Sequence, residues 1–282
     1  MTKSYMQSLL DLLKKSEAFL ARKGLSSPRL DAELIFANIM KCKRLDLYLR
    51  FDHLLDVSLV ASIKNAIIRR GRREPLQYIT GETQFLDIKI RTDRRALIPR
   101  PETEELVELV IKEVGDKQVS KILDLGTGTG AIALALAKNF TNAEVVAIDK
   151  SLDAISLAIE NSKINHIDNV TFLQSDWFSN LEGLFDVIVS NPPYLSEEEL
   201  SLSQPEIRNY EPVTALLSGN HGLDDAMKIL AQSEKFLNRN GLIALEIGIN
   251  HGKDLLNQAH WLLCKELRND LCHRPRFFIG KL

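Results

Sequence analysis

The segment from Lys121 to Asp149 limits the possible folds more than any other part of the chain. A short apolar run, Lys121–Leu125, enters Asp124-Leu125-Gly126-Thr127-Gly128-Thr129-Gly130, and an alanine-rich run, Ala131–Asn139, follows at once. This order reads as strand, glycine turn and helix. Glycines suit such a turn because its backbone angles are closed to other residues and because a ligand must approach the main chain closely. Glu144–Asp149 reads as a second strand. Its last residue, Asp149, stands where a carboxylate can accept both hydroxyls of a ribose. The rhythm then repeats. Ile155, Ala158, Ile159 and Ser162 mark the inner face of a helix, and Val170–Ser175, Phe185–Ser190 and Gly241–Ile247 read as further strands. Alternating strands and helices predict an α/β domain with a parallel sheet covered on both faces. Trp261–Leu267 and Arg276–Gly280 are candidate edge strands.

The glycine loop points to a nucleoside cofactor but leaves its identity open. Gly126-x-Gly128-x-x-Ala131 also satisfies the dinucleotide fingerprint. A second motif narrows the choice. The fourth strand runs directly into Asn191-Pro192-Pro193-Tyr194, and ligands on open α/β sheets bind at the carboxyl ends of strands. An amide nitrogen is a poor nucleophile because its lone pair is delocalised. Two oxygen acceptors can hold its N–H bonds and orient it. Asn191 offers a side-chain oxygen and Pro192 a backbone carbonyl. The prolines make the turn rigid, and Tyr194 offers a flat face to a planar group. A dehydrogenase has no use for this arrangement. Together with Asp124, placed to meet the methionine part of the cofactor, it favours S-adenosylmethionine. Asp176-Trp177, after the third strand, is placed to meet an adenine ring. The aperiodic stretch from Asn191 to Asn220 reads as a substrate wall or lid.

The region before residue 73 is helical in pattern. Met6, Leu9, Leu10 and Leu13 keep the spacing of one buried helix face, and Val60, Ile63 and Ile67 form another. Ser27-Pro28 reads as a helix start with a side-chain cap. Leu76 to Leu97 shows the short alternation of a hairpin, with Phe85, Ile88 and Ile90 on one face. The expected division is therefore 1–72, a helical bundle, 73–98, a β-hairpin linker, and 99–282, the catalytic domain.

Charge is uneven. Residues 1–100 carry 20 Lys and Arg against 11 Asp and Glu, whereas the net charge of the chain is −2. A basic first half suits an acidic partner, and the run Arg69-Arg70-Gly71-Arg72-Arg73 is its sharpest cluster. An acidic second half argues against a long phosphate footprint, so direct nucleic-acid binding is not expected. No apolar run approaches a membrane span, the first 20 residues lack the apolar core of a signal peptide, and a cytoplasmic protein is expected. Three scattered cysteines and six dispersed histidines predict neither disulfides nor a metal site.

Taken together, the sequence resembles the release-factor glutamine methyltransferases of the HemK or PrmC type. The resemblance rests on Pro75-Leu76-Gln77-Tyr78-Ile79-Thr80-Gly81-Glu82, on Leu97-Ile98-Pro99-Arg100-Pro101-Glu102-Thr103-Glu104, and on the glycine loop through Leu134. It continues in Val189-Ser190-Asn191-Pro192-Pro193-Tyr194, Glu211-Pro212, Gly222-Leu223-Asp224 and Leu245-Glu246-Ile247-Gly248. His251-Gly252 departs from the glutamine-glycine pair common in that family. The resemblance implies a small N-terminal helical domain, a hairpin linker and a Rossmann-like, seven-stranded S-adenosylmethionine-dependent domain. It implies methylation of N5 of the glutamine in the Gly-Gly-Gln loop of class 1 release factors, with the helical domain helping to grip the partner. Gly126, Thr127, Gly128, Thr129, Gly130, Asp149, Trp177 and Asn191 would bind cofactor or substrate. Pro192, Pro193 and Tyr194 would complete the glutamine pocket, and Arg100 and Glu246 would line it. An exocyclic amine of adenine or guanine in DNA or ribosomal RNA is the alternative acceptor for the asparagine motif.

Overall fold

The computed structural model describes residues 7–282. Two compact units emerge. The first comprises residues up to Glu82 together with Pro205–Tyr210, and the second comprises Thr83–Gln204 and Glu211–Leu282.

In the first unit, three helices bury the apolar stripes legible in the sequence. Leu9–Arg22 starts at Ser8, whose hydroxyl accepts from the Asp11 N–H at 3.2 Å, and buries Leu9, Leu12, Leu13 and Leu20. Leu10 is half-buried, and Met6 lies outside the described residues. Pro28–Ile39 begins where proline predicts, but Ser27 makes no side-chain cap bond. The proline alone sets that start, since its missing N–H costs nothing in the first turn. Val57–Gly71 is capped by Asp56, which accepts from Leu59 N–H at 2.8 Å, and buries Ile63 and Ile67. A two-residue pairing joins β1 (Gln7–Ser8) to β2 (Leu54–Leu55).

The arginine run belongs to this unit's interior framework. Arg69 pairs with Glu74 at 2.6 Å. Arg70 reaches Asp31 at 2.7 Å and Glu206 at 2.9 Å. Arg73 reaches Glu206 at 2.7 Å and the Gly24 carbonyl at 2.9 Å. Of the four arginines, Arg72 is the exposed one. Most of the cluster's charge is therefore neutralised internally.

The expected linker is divided between the units. Leu76–Thr80 is a helical turn whose Leu76 and Ile79 pack on the first unit's core. β3 (Glu82–Phe85) and β4 (Ile88–Arg91) form the hairpin, and Phe85, Ile88 and Ile90 enter the core of the second unit.

The second unit is built on a seven-stranded sheet. Its strands are β5 (Lys121–Leu125), β6 (Glu144–Asp149), β7 (Val170–Gln174), β8 (Phe185–Ser190), β9 (Leu237–Glu246), β10 (Cys264–Asn269) and β11 (Pro275–Lys281), in the spatial order β10-β11-β9-β8-β5-β6-β7. β5 pairs in parallel with β6 and β8, and β7 and β9 extend the parallel run. β11 and β10 are antiparallel. Alternate residues serve opposite faces. Ile122, Val145, Val187 and Ala244 join one core with helices Pro101–Val114 and Ala131–Asn139. Leu123, Val146, Ile188 and Ile243 join the other, against Asp224–Ser233 and Gly252–Gln258. The Ala131–Asn139 helix has buried residues from Ala131 to Ala137, which explains its small, uniformly apolar composition.

Candidate active site

Strand register assembles the site. Leu125 pairs with Ser190, so Gly126 and Asn191 leave adjacent strands side by side. The Ser190 hydroxyl donates to the Leu125 carbonyl at 2.7 Å and ties the two ends together. Asp149 pairs with Gln174, which brings Ser175 to Trp177 beside it. Ser190 pairs with Leu245, which sets Glu246 next to Asn191. The chain order reverses at β5, and the crevice there is the expected ligand position on an open α/β sheet.

A cavity of about 280 Å³ opens at that crevice. Gly126, Thr127, Gly128, Thr129, Asp149, Asp176, Trp177, Asn191 and Pro193 line it, all predicted site residues. Ala96, Leu97, Pro99, Thr103, Ser151, Pro212, Thr214 and Ala215 line it too. The last three come from the stretch expected to form a wall. That stretch is not irregular throughout: Glu197–Leu202 is helical, started by a reciprocal cap between Ser196 and Glu199, a Ser-x-x-Glu signal present in the sequence.

The loop residues are held by their own backbone. Gly128 has φ +55, and a Cβ there would meet nothing closer than Ala96 at 3.8 Å. Its requirement is conformational, since an L-residue at that angle is strained. Asp149 accepts from Gly128 N–H at 3.0 Å and Ser151 N–H at 2.9 Å. Burial raises its pKa, and those two donors oppose the rise. Trp177 adopts φ +49, and its indole N–H donates to Asp225 at 3.3 Å. Asp176 is exposed at the cavity rim.

Several predicted residues stand elsewhere. Asp124 is fully buried beneath the loop and absent from the cavity wall. Its Oδ2 accepts from the Thr127 hydroxyl at 2.6 Å and the Ala133 N–H at 3.2 Å, while Oδ1 has no partner. Burial pushes its carboxyl up to about 7, with the nearby Asp149 adding to the rise. Gly130 caps the following helix. Pro192 is buried between the two lining residues Asn191 and Pro193.

Two expectations need correction. Arg100 does not line the cavity but pairs with Glu211, which also accepts from the Ile98 N–H at 3.1 Å. Glu246 does not line it either. It is fully buried and accepts from the Thr103 hydroxyl at 2.7 Å and from the Tyr194 hydroxyl at 3.1 Å. Burial raises the pKa of both Glu246 and Tyr194, and the Glu246 charge raises the phenol further. Glu246 lies under the motif because β9 runs beside β8.

Two residues escaped the motif reading. Thr103, in the Pro101–Val114 helix, accepts from Asn191 Nδ2 at 2.9 Å. Nothing in its residue type singled it out. Gly222 has φ +88, and a Cβ there would stand 2.1 Å from the Tyr194 carbonyl oxygen. It lets a second segment back the asparagine motif directly. His251 supports the same turn, with Nε2 at 3.1 Å from the His221 carbonyl.

The cavity fits a nucleoside cofactor on this chain's own evidence. It joins a glycine loop, a carboxylate at the end of the next strand, and an indole at the third. Asn191 lines the same space, and its Oδ1 has no hydrogen-bond partner among the described residues.

Comparison with known proteins gives a consistent picture. Residues 103–206 match the Methyltransferase small domain family, and residues 11–81 match the PrmC N-terminal domain family. A release factor glutamine methyltransferase of Thermodesulfovibrio yellowstonii is 44% identical over 234 residues, 81% of this chain and 83% of that one. That of Deinococcus radiodurans is 38% identical over 272 residues, 95% of this chain and 96% of that one. Among solved structures, the hMettl16 catalytic domain aligns with a TM-score of 0.57 at 14% identity, over 80% of this chain and 81% of that one. A T. Thermophilus 16S rRNA N2 methyltransferase with AdoMet and guanosine aligns at 0.52 and 19%, over 71% of this chain and 49% of that one. At such identities these last two speak for a shared methyltransferase fold alone.

Proposed function

The chain belongs to the release factor glutamine methyltransferases, and from that premise we propose that it methylates N5 of the glutamine in the Gly-Gly-Gln loop of class 1 release factors, with S-adenosylmethionine as donor. The observation that carries the reading is Asn191, set beside the glycine loop with an unpartnered side-chain oxygen at the cavity. When bound, the cofactor supplies an electrophilic methyl group on a sulfonium. Gly126 to Thr129 would lie along it, Asp149 would accept from the ribose hydroxyls, and Trp177 would pack on the adenine with Asp176 near its amine.

The remaining work falls to the acceptor side. Asn191 Oδ1 and the Pro192 carbonyl accept the two N–H bonds of the substrate amide. Holding both orients the nitrogen and raises its electron density. Pro193 and Tyr194 keep that turn rigid before substrate arrives. Fixing the nucleophile in place accounts for on the order of 7–11 kcal/mol of barrier in favourable model systems. No strong base is required, because the nitrogen's proton leaves after the methyl group arrives. Arg100 acts at one remove, by holding Glu211 against Ile98.

The test is mass spectrometry of a release factor incubated with the protein and labelled cofactor. One added methyl group on the Gly-Gly-Gln glutamine is expected. Methylation of DNA or ribosomal RNA with none on the release factor overturns the substrate.

A further inference from the structure

An asparagine amide has two ends of similar shape and opposite polarity, and its terminal torsion has roughly two-fold preference. For Asn191 to accept an N–H bond, its oxygen must face the cavity. Nothing in Asn-Pro-Pro-Tyr itself decides that.

The surroundings do. Glu246 Oε2 lies 2.7 Å from the Thr103 hydroxyl, and Glu246 Oε1 lies 3.1 Å from the Tyr194 hydroxyl. The ionised carboxylate of Glu246 has no hydrogen to give, so in that form both hydroxyls donate to it. Thr103 has one hydroxyl hydrogen. Once it is given to Glu246, the oxygen can only accept, and the group 2.9 Å away is Asn191 Nδ2. The NH₂ end of Asn191 is thereby drawn away from the cavity, and Oδ1 is left to face it. The same carboxylate secures the last residue of the motif through Tyr194.

We propose that Thr103 and Glu246 are positioning residues: a two-bond relay that fixes the Asn191 amide with its oxygen toward the acceptor nitrogen. Glu246 is fully buried, so water does not substitute for its bond to Thr103. A flipped amide presents an N–H to the substrate's own N–H, and the site then repels the group it serves. The relay rests on the proposed role of Asn191, but it holds for any acceptor nitrogen that bears hydrogen.

The experiment compares Thr103→Val, Thr103→Ser and Glu246→Leu in the full chain. Steady-state methyl transfer to release factor is measured, with cofactor affinity by calorimetry. Thr103→Val keeps the volume and removes the acceptor. Its kcat is expected to fall on the order of 10–100-fold, as when other orienting partners are removed, with cofactor Kd within about twofold. Thr103→Ser restores the hydroxyl and is expected within about threefold of the parent. Glu246→Leu removes both acceptor oxygens, so the Thr103 hydrogen is no longer committed away from Asn191, and kcat falls in the same way. Unchanged kcat in Thr103→Val, or no recovery in Thr103→Ser, overturns the relay. If Thr103→Val loses cofactor binding or melts early, Glu246→Leu decides, and parental kcat there overturns it. If the parent methylates nucleic acid rather than release factor, the substrate reading falls while the same variants still test the relay on that acceptor.

Discussion

The first unit and the centre of the second unit's sheet bury acidic groups in different company. In the first, buried acids meet cations: Asp31 meets Arg70 at 2.7 Å and Glu33 meets Arg29 at 2.5 Å, and the partly buried Glu206 meets both Arg70 and Arg73. At the centre of the second, Asp124 and Glu246 are fully buried and bonded to neutral donors, one hydroxyl and one backbone N–H for Asp124, two hydroxyls for Glu246. An ion pair compensates desolvation with a strong attraction and tolerates small changes of angle. A carboxylate among neutral donors is compensated less, and its pKa rises. What it provides is direction: each donor hydrogen is committed, and so is the orientation of the next group. The first arrangement suits a scaffold, the second a site that must hold one polarity.

The contrast can be broken at several points. Asn191→Ala has the largest expected effect, a loss of methyl transfer of roughly 10³-fold with cofactor affinity within a few fold by calorimetry. Surviving turnover refutes the acceptor role. Next comes Asp31→Ala, which leaves Arg70 buried with one acid instead of two. Denaturant unfolding should register about 3 kcal/mol of lost stability and no change in the cavity's affinity for cofactor. A loss under 0.5 kcal/mol means that Glu206 alone suffices.

Asp124 gives a prediction in pH. Its carboxyl titrates near 7 in the folded protein against about 3.9 in an unfolded chain. Between those values the native state binds the extra proton, so stability falls as pH rises through the window and levels off above it. Asp124→Asn should lose that component of the slope, up to about 4 kcal/mol across the window. Parallel melting curves from pH 4 to 7 for parent and variant would refute it.

Gly222→Ala sets a Cβ against the Tyr194 carbonyl at a backbone angle that alanine resists. About 2 kcal/mol of destabilisation is expected in thermal melts, with kcat lowered because Tyr194 moves. Arg72→Ala is the smallest. Arg72 is the exposed member of its cluster, so stability should stay within about 0.5 kcal/mol. A larger change would show that the run's charge acts beyond its internal pairs.

Much was legible along the chain because the signals are local. The glycine loop, the acid at the end of β6 and the Asn-Pro-Pro-Tyr turn each follow a strand with clear apolar periodicity, and all three reach one cavity. Arg100 and Glu246 were assigned to the wall because their segments resemble the family's, yet neither lines the cavity: Arg100 pairs with Glu211, and Glu246 accepts from Thr103. The arginine run is basic in sequence and largely neutralised in space, by acids up to 136 positions away. No local pattern carries such a pairing.

By itself the sequence determined the elements, their alternation and the residue types that chemistry requires, since propensity, periodicity and turn geometry act over a few neighbours. The tertiary structure decided which way those residues face. Pairing Leu125 with Ser190 and Ser190 with Leu245 joined a threonine, an asparagine and a glutamate from three distant segments into one network. The polarity of an amide depends on that network, because only a neighbour whose hydrogen is already committed can tell its oxygen from its nitrogen.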